Sequence, residues 1–209
     1  MTTDPLSALV SSVAAWGYLG LFLVTLIERL VPILPSYGML IAIGMSAAAG
    51  VWSFPTAFAL STVGGLAGCL SFYGIATALG ETRSDRLVRW TGRLAGLSTA
   101  ATTRLTADFR RHQGALAFGS QLVPTVRLVA PAIAGLLRAR AKPFAVASAC
   151  GIALWNAVFM AVGYAAALVA GTTNVSALAL VVLAALLIGE GMFVVLWHRR
   201  RVRRSGKEA

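Results

Sequence analysis

Apolar residues fall into five stretches along the chain, at 14–50, 54–80, 113–137, 143–170 and 176–197, and polar or basic segments separate them. Three of the five, 54–80, 143–170 and 176–197, exceed the ~20 residues that a helix needs to cross a bilayer. The other two are interrupted. Stretch 14–50 carries Glu28 and Arg29 and then Pro32 and Pro35 within the turn Pro32–Gly38. Stretch 113–137 carries Gln121 and Arg127 in its middle, with breaks expected at Pro124 and Pro131. A proline removes a donor and clashes one turn back, so each interrupted stretch is expected to be two half-helices that meet at a turn.

Lys and Arg mark the cytoplasmic ends of apolar segments. Stretch 113–137 has that mark at both ends, with Arg110 and Arg111 before it and Arg138, Arg140 and Lys142 after it. It is therefore expected to enter the membrane and return to the side it came from. Non-helical backbone at that depth survives only where protein or water satisfies it, and an Arg held there is by default a functional-site candidate. The expected fold is an all-α integral membrane protein: re-entrant hairpin (14–50), crossing helix (54–80), cytoplasmic amphipathic helix (81–112), second re-entrant hairpin (113–137), crossing helix (143–170), final crossing helix (176–197) and basic tail (198–209). The hairpin-plus-helix unit occurs twice, in opposite orientations, within one membrane domain. Inverted repeats whose broken helices meet at the midplane are how many transporters build a substrate site. A true crossing over 14–31, with the N-terminus inside, stays open as an alternative.

Composition agrees. Of 209 residues 58% are hydrophobic and 12% charged, against about 25% charged in soluble domains, and the mean hydropathy is +0.80. The net charge of +11 invites a nucleic-acid partner. Its distribution excludes that reading, because the cations flank apolar stretches at 83–111, 138–142 and 199–207 with no aromatic-studded groove or known module. Positive-inside topology and contact with anionic headgroups account for them. Residues 1–28 hold no Lys or Arg, hence no basic region of a conventional signal peptide. Cys69 and Cys150 sit in apolar stretches as small hydrophobes, His112 and His198 lack partners at metal-ligand spacing, and no metal or cofactor is expected. Gly64 and Gly68, four apart, read as a close helix approach. Asn156 is expected to make an interhelical hydrogen bond, and Glu190, eight residues before His198, is a carboxylate at depth.

The ordered set Phe109, Arg111, His112, Gly114, Pro124, Arg127, Ala134 and Gly135 resembles the DedA family of bacterial membrane proteins. That family shares its core with eukaryotic endoplasmic-reticulum lipid scramblases. Agreement continues with Phe144, Gly151, Trp155, Gly163 and Tyr164, and upstream with Glu28, the Pro32–Pro35 turn, Gly64, Gly68 and Tyr73, so it covers roughly 14–170. The resemblance implies a flippase or scramblase, and not an enzyme, in the bacterial cytoplasmic (inner) membrane with its C-terminus cytoplasmic. Its substrate would be an anionic lipid such as undecaprenyl phosphate or a phospholipid, and some members depend on the proton gradient. Arg127 would then pair with the phosphate, Gln121 and Tyr37 would add hydrogen bonds, and Glu28 would neutralise Arg127 when substrate is absent. Glu28 and Glu190 are the proton-coupling candidates, and Trp155 with Gly64 and Gly68 would pack the helices. Two departures stand out: Tyr37 where the family usually has an acid, and Gln121 where it usually has an Arg. Losing one acid and one base together keeps the charge balance, and it suggests that Tyr37 and Gln121 face each other. The rival reading is a proton-coupled antiporter for small cations or drugs, in which Glu28 and Glu190 would accept the cation. A membrane phosphatase lacks paired carboxylates or a Cys/His dyad here, and a purely structural role is the plainest alternative. A second copy of the chain as partner is left open.

Overall fold

The computed structural model describes residues 16–31, 36–80 and 109–170, with isolated positions between 82 and 107 and at 192. Six helices carry the architecture: α1 (Gly17–Leu30), α2 (Ser36–Ala48), α3 (Phe54–Ala78), α4 (Gln113–Gln121), α5 (Pro124–Leu136) and α6 (Ala141–Ala170). Among the described residues there is no strand. The surface helix expected over 81–112 and the crossing helix over 176–197 lie almost wholly outside the described residues. Pro32, Pro35 and Glu190 do so entirely.

Two of the six are long and apolar enough to cross a membrane, α3 and the stretch 141–168 of α6. At about 1.5 Å per residue the 25 and 30 residues of α3 and α6 reach beyond the ~30 Å of a bilayer's hydrocarbon core. The 14, 13, 9 and 13 residues of α1, α2, α4 and α5 do not. The breaks within each short pair have a shared local cause. The residue before a proline is pushed out of the α region. Val31, before Pro32, is extended at φ −118°, ψ 99°, and Val123, before Pro124, is extended at φ −113°, ψ 112°. Pro124 then opens α5, where its missing N–H costs nothing.

Pro131 corrects the sequence reading. It was expected to break the second stretch, yet α5 runs straight through it, and the ring is fully buried. A proline inside a helix is tolerated where the carbonyl it leaves unbonded finds another donor, and that donor is described below.

Packing follows a swapped pattern. The first member of each short pair lies on the long helix that follows it, α1 on α3 and α4 on α6, while the second crosses over, α2 on α6 and α5 on α3. Two apolar clusters result. One gathers Leu21, Ile41, Ile43, Trp155 and Met160, and the other Cys69, Ala117, Ala134, Phe144 and Ile152. Helix α2 is apolar all round and is buried from Gly38 to Met45, as such a helix must be. Val63, Ile75, Val129, Val146, Leu154, Val158 and Leu168 are exposed, leaving an apolar exterior.

Glycines set the crossings. A Cβ on Gly64 would strike the Phe22 carbonyl and the Thr25 hydroxyl, and one on Gly151 would strike the Phe118 carbonyl and the Gln121 side chain. A Cβ on Gly44 would meet the Met160 carbonyl, and one on Gly135 the Tyr73 carbonyl. The separation from Gly64 to Gly151 equals that from Tyr73 to Met160, and the separation from Phe22 to Phe118 equals that from Thr25 to Gln121. The expected hydrogen bond of Asn156 is present, its Nδ2 donating to Thr62 Oγ1 at 3.3 Å between α6 and α3.

Gly163 packs against the Ile41 backbone, whereas Gly74 faces open space. Gly163→Ala is expected to cost about 1–3 kcal/mol through overpacking. Gly74→Ala should leave stability unchanged or raise it, since Ala favours helix by about 1 kcal/mol. Thermal unfolding in detergent micelles separates the two, and equal melting temperatures would contradict the packing.

Candidate functional site

The ends of the short helices bring the charged residues together. Glu28 and Arg29 occupy the last turn of α1, Ser36 opens α2, and Arg127 lies in the first turn of α5. Three of them are nearly sealed from solvent: Glu28 is 6% exposed, Arg29 3% and Arg127 2%. Arg127 Nη2 stands 4.0 Å from Glu28 Oε1, a long ion pair, and its Nη1 donates to Ser36 Oγ at 3.2 Å. Its guanidinium lies over the Trp155 indole, 4.7 Å from the ring centroid. Trp155 therefore does more than pack helices, because the ring face attracts a cation and loses little to solvent here.

Arg29 is the residue that sequence reasoning missed. Its Nη1 donates to the Arg127 carbonyl at 3.4 Å. That carbonyl is the one whose helical donor would be the N–H of residue 131, and residue 131 is proline. Pro131 thus strips a hydrogen bond from the α5 backbone, and Arg29 of α1 replaces it. One interaction explains an unbroken helix and locks the two helix pairs to each other. The glycines of α3 seat the same group: a Cβ on Gly68 would run into the Arg29 Cβ, and Gly65 lies beneath its Nε. The Gly64/Gly68 pair therefore packs helices, as expected, and the helix it admits delivers Arg29. The available signal was the position of Arg29 inside an apolar stretch, the same signal that marked Arg127.

Gln121, at the end of α4, is fully buried; its Nε2 lies 3.9 Å from Cys69 Sγ, and its Oε1 has no partner. Tyr37 is half-buried and packs in the other apolar cluster, its ring 6.4 Å from that of Phe159. Gln121 and Tyr37 share no hydrogen bond among the described residues, so the pairing suggested by their joint departure from the family pattern is not seen.

Among the described residues two guanidiniums, Arg29 and Arg127, stand with one carboxylate, Glu28. Around them, Arg29 Nε and Nη2, Arg127 Nε, Gln121 Oε1 and Trp155 Nε1 are buried without hydrogen-bond partners. Buried polar atoms are nearly always paired, so the four open nitrogen donors among these, beside two guanidiniums, are suited to hold an anion. Among the described residues no three His, Cys, Asp or Glu side chains cluster as metal ligands.

The family model of the VTT domain matches residues 31–165. The chain belongs to this family, the DedA family of membrane proteins. Over 144 residues, 69% of this chain and 71% of the other, it is 26% identical to undecaprenyl phosphate transporter A of Staphylococcus aureus. It is also 24% identical over 151 residues, 72% and 71% of the two chains, to an alkaline phosphatase-like protein of Lactococcus lactis. No solved structure matches the chain significantly. The resemblance carried by Glu28, Pro124, Arg127 and the later glycines was thus a true family signal, and the chain is a membrane protein.

Removing one member of a buried ion pair costs about 3–5 kcal/mol, whereas removing both can be neutral. Glu28→Gln alone is therefore expected to destabilise the protein by roughly that amount, and the double variant Glu28→Gln, Arg127→Gln by less than Glu28→Gln alone. Tryptophan-fluorescence melting in detergent measures this, and strictly additive losses would show the two side chains to be independent.

Proposed function

We propose that this VTT-family chain moves an anionic lipid between membrane leaflets, with the phosphate passing through the site formed by Arg127, Arg29 and Glu28. The observation that carries this reading is the buried pair of guanidiniums with unsatisfied donors, set among the described residues against a single carboxylate. A planar guanidinium fork suits phosphate oxygens better than an ammonium does. A phosphate held against fixed cations at depth avoids much of the cost of crossing hydrocarbon exposed, and the acyl or prenyl chain stays in lipid throughout. The similarity to an undecaprenyl phosphate transporter supports a polyprenyl phosphate as one such lipid. Gln121 and Ser36 line the same region and add hydrogen bonds, with Tyr37 at its margin. Glu28 neutralises the site when empty and carries the proton if transport is proton-coupled, with Glu190 as the second candidate. No covalent step is required.

The topology we assign is the inverted repeat: α1–α2 and α4–α5 dip into the bilayer from opposite faces and return, and α3 and α6 cross it. Its support is threefold: four half-helices too short to span, the swapped packing on α3 and α6, and crossing points repeated at matched separations along the chain. In that arrangement the N-terminal ends of α2 and α5, with their unbonded N–H groups, point to the midplane, where broken-helix transporters hold anionic groups. The basic tail places the C-terminus in the cytoplasm of a bacterial inner-membrane protein. A proton-coupled antiporter for small cations is the rival reading. Two guanidiniums beside the carboxylate repel such a substrate, which ranks it second.

Reconstitution in vesicles with labelled undecaprenyl phosphate, and separately with labelled phosphatidylcholine, tests the proposal. Wild-type protein is expected to equilibrate the phosphate lipid across the bilayer. Arg127→Ala should slow this at least tenfold, on the scale of one lost charge-assisted phosphate contact, and Arg127→Lys should fall between. Equal rates in all three proteins would remove the site from the transport path.

A further inference from the structure

A second basic feature lies away from the buried site, at the base of the α4–α5 pair. Arg110, Arg111, Gln113, Arg138 and Arg140 line a cavity of about 640 Å³, with no acidic residue among the described residues of its wall, within the ~300–1,000 Å³ typical of ligand sites. Its walls are held in place rather than merely charged. Arg110 Nε donates to the Leu137 carbonyl at 3.1 Å, and Gln113 Oε1 accepts from the Arg140 N–H at 2.8 Å. Arg138 follows the C-cap of α5 in the left-handed region, at φ 53°. Glycine usually fills that position, because a side chain there is crowded against its own carbonyl. Positive-inside topology alone asks only for a cation somewhere in this turn, not for one at a strained position.

Beside this cavity runs an apolar groove of about 160 Å³, lined by Phe109, Leu116, Ser120, Val126, Ile133 and Phe144 among others. Their walls adjoin through the backbone: Phe109 precedes Arg110, and the Phe144 N–H donates to the Arg140 carbonyl at 3.1 Å. From its basic end the groove follows the seam of α4 and α5 to Ser120 and Val126, the immediate neighbours of Gln121 and Arg127.

We propose that this cavity and groove form a docking site for an anionic phospholipid, the phosphate among the arginines and one acyl chain along the α4–α5 seam. A free phosphate would use the cavity and leave the groove empty; a basic cavity whose wall adjoins an apolar groove selects a lipid. The site is a surface one, filled from the leaflet that the arginines face, and its occupancy does not require that the buried site transport anything.

Native mass spectrometry of the purified chain, released from micelles containing equimolar phosphatidylglycerol and phosphatidylcholine, reads the occupancy directly. Wild type is expected to retain phosphatidylglycerol. The variant Arg111→Gln, Arg140→Gln changes two exposed side chains and should weaken retention roughly 30-fold, at about fivefold for each cation near the surface. Arg83→Gln, Arg86→Gln removes the same charge outside the cavity and should leave retention unchanged. Equal loss in both variants, or loss in neither, would overturn the proposal. Displacement of the bound lipid by inorganic phosphate alone, with Leu116→Trp in the groove having no effect, would reassign the cavity as a free-anion site. Should the double variant fail to fold, Leu116→Trp decides the matter: the lipid must be lost. Undiminished transport with lost retention would separate this site from the buried one.

Discussion

A guanidinium sealed from water calls for a partner for its charge and for its donors, and the arrangement of this chain meets that demand at Arg127 for all but its Nε. Its charge meets Glu28 at 4.0 Å, its face rests on Trp155, one nitrogen reaches Ser36, and its own carbonyl is taken by Arg29. These partners come from three other helices, α1, α2 and α6. None of them is near Arg127 in sequence, so the interaction can form only when both broken pairs have docked. Removing such a charge from water without partners would cost several kcal/mol, and that cost makes the docking specific.

The proline in α5 turns this from a pairwise contact into a joint between the two halves. In an ordinary helix the Arg127 carbonyl would be occupied by the backbone four residues on. Pro131 removes that donor, and the vacancy is filled from α1. The glycines of α3 and α6 are the other requirement, for without close approach the ends of α1 and α4 could not reach the centre. Gly68 makes room for the stem of Arg29, and Gly151 for Gln121. Backbone breaks, small residues and buried charges, each costly alone, are here mutually dependent.

Much of this was legible in the residues. The breaks before Pro32 and Pro124 follow from local sterics, and Val31 and Val123 adopt the extended conformation that the rule requires. The long helices announced themselves by length, Gly64 and Gly68 by spacing, and Arg127 by its placement in an apolar stretch. Three things were not legible. Pro131 reads as a breaker because sequence gives no view of a donor from another helix. Arg29 has no role in the sequence reading, since neighbours in a helix point in different directions and only the convergence of α1, α3 and α5 buries both it and Glu28. Gln121 and Tyr37 changed together relative to the family pattern, but chemical complementarity does not measure distance, and their surroundings place them in separate clusters.

In the topology we propose, α4 and α5 enter and leave the membrane on one side and hold the Arg127 guanidinium at depth between the halves. In a Cys69→Ala, Cys150→Ala background, single cysteines at Ala115 and Ala141 bracket α4 and α5, and a membrane-impermeant maleimide applied to intact cells or to inverted vesicles reports the side of each. Both positions are expected to label in inverted vesicles and neither in intact cells. Labelling of the two from opposite sides would mean that the stretch crosses, and Arg127 would no longer sit at the meeting point of two re-entrant pairs.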